Sequence, residues 1–102
     1  MLNYLVYGYA GGMQLAKLKT ETALQINFEK RDSSYLGDYF LYGSASQLLL
    51  EIKENIEKID GEALEREFSQ YPTLLYIAVA PAFVEILDRL PHEFFLLKKE
   101  AL

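Results

Sequence analysis

The chain is poor in histidine and cysteine, two residues that are often used for catalysis and metal binding. Its one histidine, His92, directly follows Pro91, and there is no cysteine. Histidine is the commonest general acid–base residue in enzymes, whereas a zinc site needs several histidine, cysteine or carboxylate ligands. A lone histidine with no second one at ligand spacing does not form such a site. We therefore predict no bound metal and no cofactor.

Asp38 is the carboxylate with the most unusual neighbours in the sequence. It stands among Tyr35, Tyr39 and Tyr42. Burial among aromatic rings would raise its pKa, whereas hydrogen bonds from tyrosine hydroxyls would lower it. A pocket of Asp38, His92 and tyrosines would suit a small-molecule-binding domain or an enzyme. Strand alternation, however, places Asp38 and Tyr42 on one face and Tyr39 on the other, which favours an exposed aspartate at the start of a strand.

Two glycine-containing segments resemble functional motifs but lack the required spacing. Ser44 and Ser46 lie in the sequence GSAS, which is not the G-x-S-x-G turn that presents a nucleophilic serine. Residues 8–12 read GYAGG, without the G-x-G-x-x-G spacing or the Lys-Ser/Thr pair of phosphate-binding loops. The sequence therefore contains no recognisable catalytic constellation.

Negative charge is concentrated in residues 51–67. The formal net charge is −5, and this segment holds seven acidic residues against three basic ones. The acidic residues are Glu51, Glu54, Glu57, Asp60, Glu62, Glu65 and Glu67. Such a segment repels nucleic-acid phosphates and attracts a basic protein partner. The alternative is a solvated surface with ordinary helix pairs, such as Glu54 with Lys58.

Tyrosine is abundant, with eight residues and no tryptophan. Tyrosine is enriched in protein interfaces, and a sheet face without helices would expose several rings as a binding surface or a dimer contact. The same rings could instead form a half-buried core. The tyrosines in predicted strands are Tyr4, Tyr7, Tyr9, Tyr39 and Tyr42. Our candidate partner-binding residues are Glu54, Glu57, Asp60, Glu62, Glu65, Tyr39 and Tyr42.

Length and composition indicate a single folded domain over residues 1–102. Half of the residues are apolar and a quarter are charged, which is typical of globular proteins and not of disordered ones. The apolar N-terminal run has no basic residue before it and is about half of the ~20 residues that a membrane span needs. We therefore expect a cytoplasmic protein that does not associate with membranes.

Residues 44–60 have the strongest helical periodicity. Their apolar residues recur at helical spacing between charged ones, and Ser44 with Gln47 matches a capping box. The apolar residues are Leu48, Leu49, Ile52, Ile56 and Ile59. Gly61 suits the left-handed position after the helix. We predict that the other elements cover the apolar face of this helix.

The remaining elements follow from shorter patterns. We predict strands at residues 2–10, 13–19, 22–28, 38–42 and 73–80, with a hairpin loop at 29–34. The first strand is apolar on both sides, which suits the interior of a sheet. Residues 62–70 and 82–90 read as helices, the latter beginning after Pro81 and turning Phe83, Ile86, Leu87 and Leu90 inward. Residues 94–97 form either an edge strand or a helical turn. The predicted fold is α+β, an antiparallel sheet of about four to five strands with two or three helices packed on one face.

The segment YGSASQLLLEI, leading from a strand into the main helix of a small acidic chain without cysteine, resembles bacterial toxin-immunity proteins. The resemblance spans residues 24–59. It implies a non-catalytic inhibitor that neutralises a basic toxin, such as a nuclease, by direct binding. Two alternatives remain: a phage-type inhibitor or secretion chaperone, the latter an obligate homodimer, and the small-molecule-binding domain or enzyme using Asp38 and His92. Gel filtration separates a dimeric chaperone from a monomeric inhibitor.

Overall fold

The computed structural model describes residues 2–33, 37–44, 46–57 and 60–101. The strands are β1 (Asn3–Tyr9), β2 (Glu29–Ser33), β3 (Gly37–Ser44), β4 (Leu48–Glu54), β5 (Thr73–Val79) and β6 (Phe95–Ala101). Helix α1 (Met13–Leu24) follows β1, and two 3₁₀ helices, Arg66–Phe68 and Pro81–Arg89, flank β5.

The six strands form one sheet in the order β2-β3-β4-β5-β1-β6, with every neighbouring pair antiparallel. The predicted α+β class is confirmed, although the sheet has six strands and not four to five. The first strand lies between β5 and β6, in the interior of the sheet as expected. Among the described residues, no helix is long and apolar enough to cross a membrane.

Alternate side chains of the central strands build the core. Leu50 and Ile52 of β4 and Leu75 of β5 are fully buried on one face of the sheet. Helix α1 packs its buried positions Ala16 and Leu24 against this face. The second 3₁₀ helix contributes three partly buried residues to the same cluster: Ile86, Leu87 and Leu90. We call this the covered face, because both longer helices lie on it.

The predicted helix at residues 44–60 is wrong, because this segment forms β4 and part of the loop after it. Leu48, Leu50 and Ile52 are buried at a spacing of two residues, and Leu49 points to the opposite face. Leu48 and Ile52 are also four residues apart, so they fit a helical stripe as well as a strand. The strand forms because Leu50 must face the core between them. Ala45, Lys58 and Ile59 lie outside the described residues.

The capping box is replaced by a tight turn between β3 and β4. The backbone N–H of Gln47 donates a hydrogen bond to the carbonyl of Ser44 over 3.2 Å, and the Ser44 hydroxyl contacts that of Ser46 at 3.1 Å. Gly43 has a φ of +84°, and a Cβ there would collide with the Leu48 carbonyl. Glycine therefore permits both the backbone conformation and the close approach of the two strands.

The predicted strands at residues 13–19 and 22–28 are also wrong, because residues 13–24 form α1. Ten of its twelve residues are alanine, leucine, lysine, methionine, glutamine or glutamate, all good helix formers. Its buried residues Ala16, Thr20 and Leu24 are spaced by four, and Gln25 ends the helix with a left-handed φ of 57°. Residues 29–33, predicted as a loop, form the polar edge strand β2. Ser34 lies outside the described residues.

The C-terminal half agrees better with the sequence. Strand β5 confirms the strand at residues 73–80, and β6 confirms an edge strand at residues 94–97, extended to Ala101. The predicted helix at 62–70 is reduced to the 3₁₀ helix Arg66–Phe68. The helix at 82–90 is 3₁₀, begins at Pro81 and leaves Phe83 42% exposed instead of turning it inward.

Candidate functional site

The candidate site is the second face of the sheet, opposite α1, which we call the open face. Strand register aligns one side chain from each of the six strands in a continuous row on this face. In spatial order from β2 to β6, the row is Glu29, Leu41, Glu51, Tyr76, Val6 and Lys98. With strands ~4.8 Å apart, the row is about 24 Å long.

A second row runs parallel to the first. It passes from Leu49 of β4 through Ala78 of β5 and Tyr4 of β1 to Glu100 of β6. Tyr4 is 40% exposed and Glu100 is also exposed. The open face thus mixes aromatic and aliphatic side chains with charged ones, a composition suited to a partly hydrated contact surface.

The β4–β5 loop, residues 55–72, covers one end of the open face. The Tyr71 ring packs so closely on Gly8 that a Cβ there would lie 2.6 Å from its Cγ atom. The same ring lies 6.0 Å, between centroids, from Phe95. Leu74 points to the open face but is fully buried. It lies directly opposite Gly8, on which the Tyr71 ring packs. The two rows containing Tyr76 and Tyr4 lie beside this covered end.

Asn55 fixes the conformation of the β4–β5 loop. Its side-chain Nδ2 donates to the carbonyls of Phe68 and Tyr71 at 3.0 and 2.9 Å, and its Oδ1 accepts from the Glu65 amide at 2.9 Å. Its backbone N–H donates to the Pro72 carbonyl at 2.9 Å. One buried side chain therefore holds both the middle and the end of the loop, and positions Glu65 at the open face.

Glu65 joins the loop to the sheet through two polar contacts. Its carboxylate accepts a hydrogen bond from the Tyr76 hydroxyl at 2.9 Å and pairs with the Lys98 ammonium at 2.5 Å. Partial burial opposes ionisation of Glu65, but the bonds from Lys98 and Tyr76 and the charge of Lys98 outweigh it and lower the pKa of Glu65. Burial, the bond to Glu65 and the charges of Glu65 and Glu51 raise the pKa of Tyr76 above its usual value.

Negative charge exceeds positive charge around this contact. The hydrogen bond to Glu65 is the main cause of a raised pKa for Lys98, and Glu67 and Glu100 also contribute. Three carboxylates thus act on one ammonium group. On the neighbouring strands, the Lys53 ammonium lies 4.5 Å from the centroid of the Tyr76 ring and 3.7 Å from the Glu51 carboxylate.

The structure places two of the predicted partner-binding residues, Glu65 and Tyr39, at the open face. Tyr39 is half-buried on β3, directly opposite Arg31 of β2. Tyr42 lies on the covered face, where its ring contacts that of Phe28 edge-on at 6.4 Å. The two tyrosines are therefore on opposite faces, in agreement with strand alternation, and do not form one surface.

The other predicted acidic residues lie along the loop. Glu54 is half-buried at the end of β4, and Glu57 is half-buried just after it. Asp60 is exposed and accepts a hydrogen bond from the Glu62 amide at 2.9 Å, while the Glu62 carboxylate lies 3.7 Å from Arg66. Asp60 therefore stabilises a turn in the loop, and part of the negative charge is balanced locally.

Sequence reasoning missed four residues of the site: Asn55, Tyr76, Lys98 and Glu100. Tyr76 was detectable, because a single tyrosine interrupts the apolar run of β5 at a position whose neighbours face the core. Lys98 gave no local signal, because its partner Glu65 lies 33 positions earlier in the chain. Asn55 gave no signal, because its role depends on loop residues 10 to 16 positions away.

Asp38 and His92 do not share a site. Asp38 pairs with Lys30 of β2 at 3.3 Å, whereas His92 is 98% exposed and lies 3.9 Å from Glu93. Asp38 lies in β3 and His92 comes just before β6, and three strands lie between β3 and β6 in the sheet. Within the described ranges, no group of three histidine, aspartate or glutamate residues is arranged to hold a metal ion.

Comparisons with protein-family models, curated proteins and solved structures found no match to this chain.

Proposed function

We propose that the protein is a non-catalytic binding protein that recognises a basic protein partner with the open face and the adjoining β4–β5 loop. The observation that carries the proposal is the surplus of carboxylates around Lys98, beside an exposed tyrosine, on the sheet face opposite the two longer helices. Inhibition of a toxin by direct binding, the activity of the immunity proteins that the sequence resembles, is the function that fits this surface best.

The protonation states of the open face favour binding over acid–base catalysis. A general acid or base works best with a pKa near the operating pH. Here the pKa of Glu65 is lowered, while those of Lys98 and Tyr76 are raised. Near pH 7 Glu65 therefore stays negative, Lys98 positive and Tyr76 neutral, which suits electrostatic recognition and not proton transfer.

The dimensions of the open face are also adequate for a protein contact. A row of about 24 Å crossed by seven-residue strands of similar length gives roughly 600 Å² of face. A standard interface buries about 800 Å² on each partner. The exposed acidic residues of the β4–β5 loop, Asp60, Glu62 and Glu67, extend the surface toward that size.

Binding to the product of the adjacent reading frame tests the proposal. Both proteins are purified, and their complex is measured by calorimetry and by inhibition of the partner's activity. We expect a stoichiometric complex whose association slows as salt concentration rises. Absence of a complex with a folded, active partner would refute the assignment as its inhibitor.

A charge-reversal pair locates the interface. Glu67→Lys with Glu100→Lys changes two exposed carboxylates beside Lys98, and Glu85→Lys with Asp88→Lys makes the same change in net charge on the second 3₁₀ helix. We expect the first pair to slow association about 10-fold more than the control pair. Equal effects would mean that only net charge matters and would remove the open face from the interface.

A further inference from the structure

A pocket of about 270 Å³ opens on the open face beside the Glu65–Lys98 contact. It is lined by Tyr4, Val6, Glu65, Tyr76, Lys98 and Glu100. The lining contains two carboxylates and one ammonium group, so its formal charge is negative. Two tyrosines and a valine supply an apolar and aromatic surface within the same concavity.

Strand register determines how the two tyrosines of the pocket stand. Tyr76 of β5 lies directly opposite Val6 of β1, and Tyr4 is two residues from Val6 on the same face of β1. Tyr4 and Tyr76 are therefore diagonal neighbours, whose Cα positions are typically about 7–8 Å apart. Both residues line the pocket, so a flat group bound there can contact the aromatic rings at about 3.5–4 Å.

The carboxylates lie at the ends of this diagonal. Glu100 is directly opposite Tyr4, and Glu65 accepts the hydrogen bond from the Tyr76 hydroxyl. A planar cation between the rings would thus have a carboxylate near each ring. The guanidinium group of arginine is planar, stacks on aromatic rings and pairs with carboxylates through several N–H donors, whereas the ammonium of lysine is a compact, strongly hydrated charge.

We propose that this pocket is the anchor site for an arginine side chain of the basic partner. The inference rests on the proposed function and adds the chemical group that the open face recognises. Lys98 occupies part of the same negative environment from within the chain. The remaining carboxylate charge, from Glu100 and the nearby Glu67, is available to the incoming guanidinium.

The test uses a small guanidinium compound and so does not depend on the identity of the partner. N-acetyl-L-arginine methylamide is titrated into the ¹⁵N-labelled protein, and amide chemical shifts are followed by NMR. We expect saturable shifts centred on Tyr4, Val6 and Tyr76, and weaker binding of the matching lysine compound. Equal responses to both compounds, or shifts spread over all exposed carboxylates, would overturn the proposal.

Two weakening variants and one matched control sharpen this titration. Tyr4→Leu keeps an apolar side chain but removes the aromatic face, and Glu100→Gln removes one charge. Each should weaken binding of the arginine compound about 2- to 5-fold, as expected for a single exposed cation–π or charge contact. Glu85→Gln, at an exposed position on the other side of the molecule, should leave binding unchanged. Unaltered binding in Tyr4→Leu would exclude stacking on that ring.

Lys98→Met gives a prediction of the opposite sign. Removing the internal ammonium frees Glu65 for the guanidinium, so binding of the arginine compound should become about 5-fold tighter. A purely structural role of Lys98 would give unchanged or weaker binding, which would contradict the proposal. If the partner complex forms and its affinity is unchanged by Tyr4→Leu, the anchor site is wrong and the proposed function stands. If the pocket binds the arginine compound but no partner complex forms, the proposed function is wrong and the guanidinium site stands.

Discussion

Replacing Asn55 with alanine should release the β4–β5 loop from the sheet. The Asn55 side chain is 8% exposed and makes three hydrogen bonds, two to carbonyls and one from an amide. Each such bond contributes about 0.5–1.5 kcal/mol net, so Asn55→Ala should lower the free energy of unfolding by roughly 2–4 kcal/mol. For a domain whose total stability is about 5–15 kcal/mol, this loss is large.

Urea denaturation followed by circular dichroism measures the loss, and amide hydrogen exchange locates it. The Glu65 amide should exchange faster in Asn55→Ala, because its acceptor Oδ1 is removed. Asn27→Ala, at an exposed position before β2, serves as control and should change stability by less than ~0.5 kcal/mol. A loss under ~0.5 kcal/mol in Asn55→Ala, with unchanged exchange at Glu65, would refute the assignment of Asn55 as the anchor of the loop.

Two further predictions concern the core and the pH dependence. Ile52→Ala removes a fully buried side chain and should lower the free energy of unfolding, measured by urea denaturation, by about 2–5 kcal/mol. Leu18→Ala, at a position 59% exposed, serves as control and should lower it by less than ~0.5 kcal/mol. Similar losses in both variants would mean that the outer side of α1 is also packed. Because the pKa of Glu65 is lowered in the folded state, its stabilising contribution is present above the ordinary glutamate pKa of about 4.3 and is lost as the pH falls through the folded-state pKa. Stability measured from pH 7 to pH 2 should therefore fall more steeply in the wild type than in Glu65→Gln, and parallel curves would contradict a Glu65 pKa lowered by its two partners.

The sequence correctly predicted the elements whose hydrophobic pattern fits only one type of secondary structure. The apolar run of β5, bounded by Pro72 and Pro81, fits a buried strand, and the two-sided apolar pattern of β1 fits an interior one. Both agree with the structure. The fold class was predicted from the whole order of strands and helices, and it is correct although the segments at residues 13–28 and 44–60 were assigned to the wrong type of element.

The incorrect predictions lie in segments whose apolar residues fit both the helical spacing and the strand spacing. In β4, Leu48 and Ile52 fit helical and strand spacing equally, and the charged residues between them suggested a solvated helix face. Those charged residues, Glu51 and Lys53, instead line the open face. In residues 22–28, Thr22 and Leu24 alternate with Ala23 and Gln25 as in a strand, but helix propensity and the four-residue spacing of the buried side chains of α1 make residues 13–24 helical.

The candidate site was predicted only in part, because long-range pairing assembles it. Glu65 and a tyrosine-bearing face were expected, but nothing local indicates that Glu65 meets Lys98, 33 positions later in the chain. The register of β5, β1 and β6 places Tyr76 and Lys98 in one row, and the hydrogen bonds of Asn55 bring Glu65 to them, so the contact depends on long-range pairing that no local pattern shows.

The position of β1 in the sheet has a consequence for how the chain acquires its structure. Strands β2, β3 and β4 are consecutive and can pair as local hairpins while later residues are still being synthesised. Strand β1 pairs with β5 and β6, so Tyr9 cannot pair until Thr73, more than 60 residues later in the chain, has been synthesised. Contacts between residues far apart in the sequence slow folding, and an apolar strand that has not yet paired can aggregate or mispair. Strand β1 therefore leaves the ribosome well before its partners, and its core side chains Leu5 and Tyr9 cannot be buried against β5 until that strand has been synthesised.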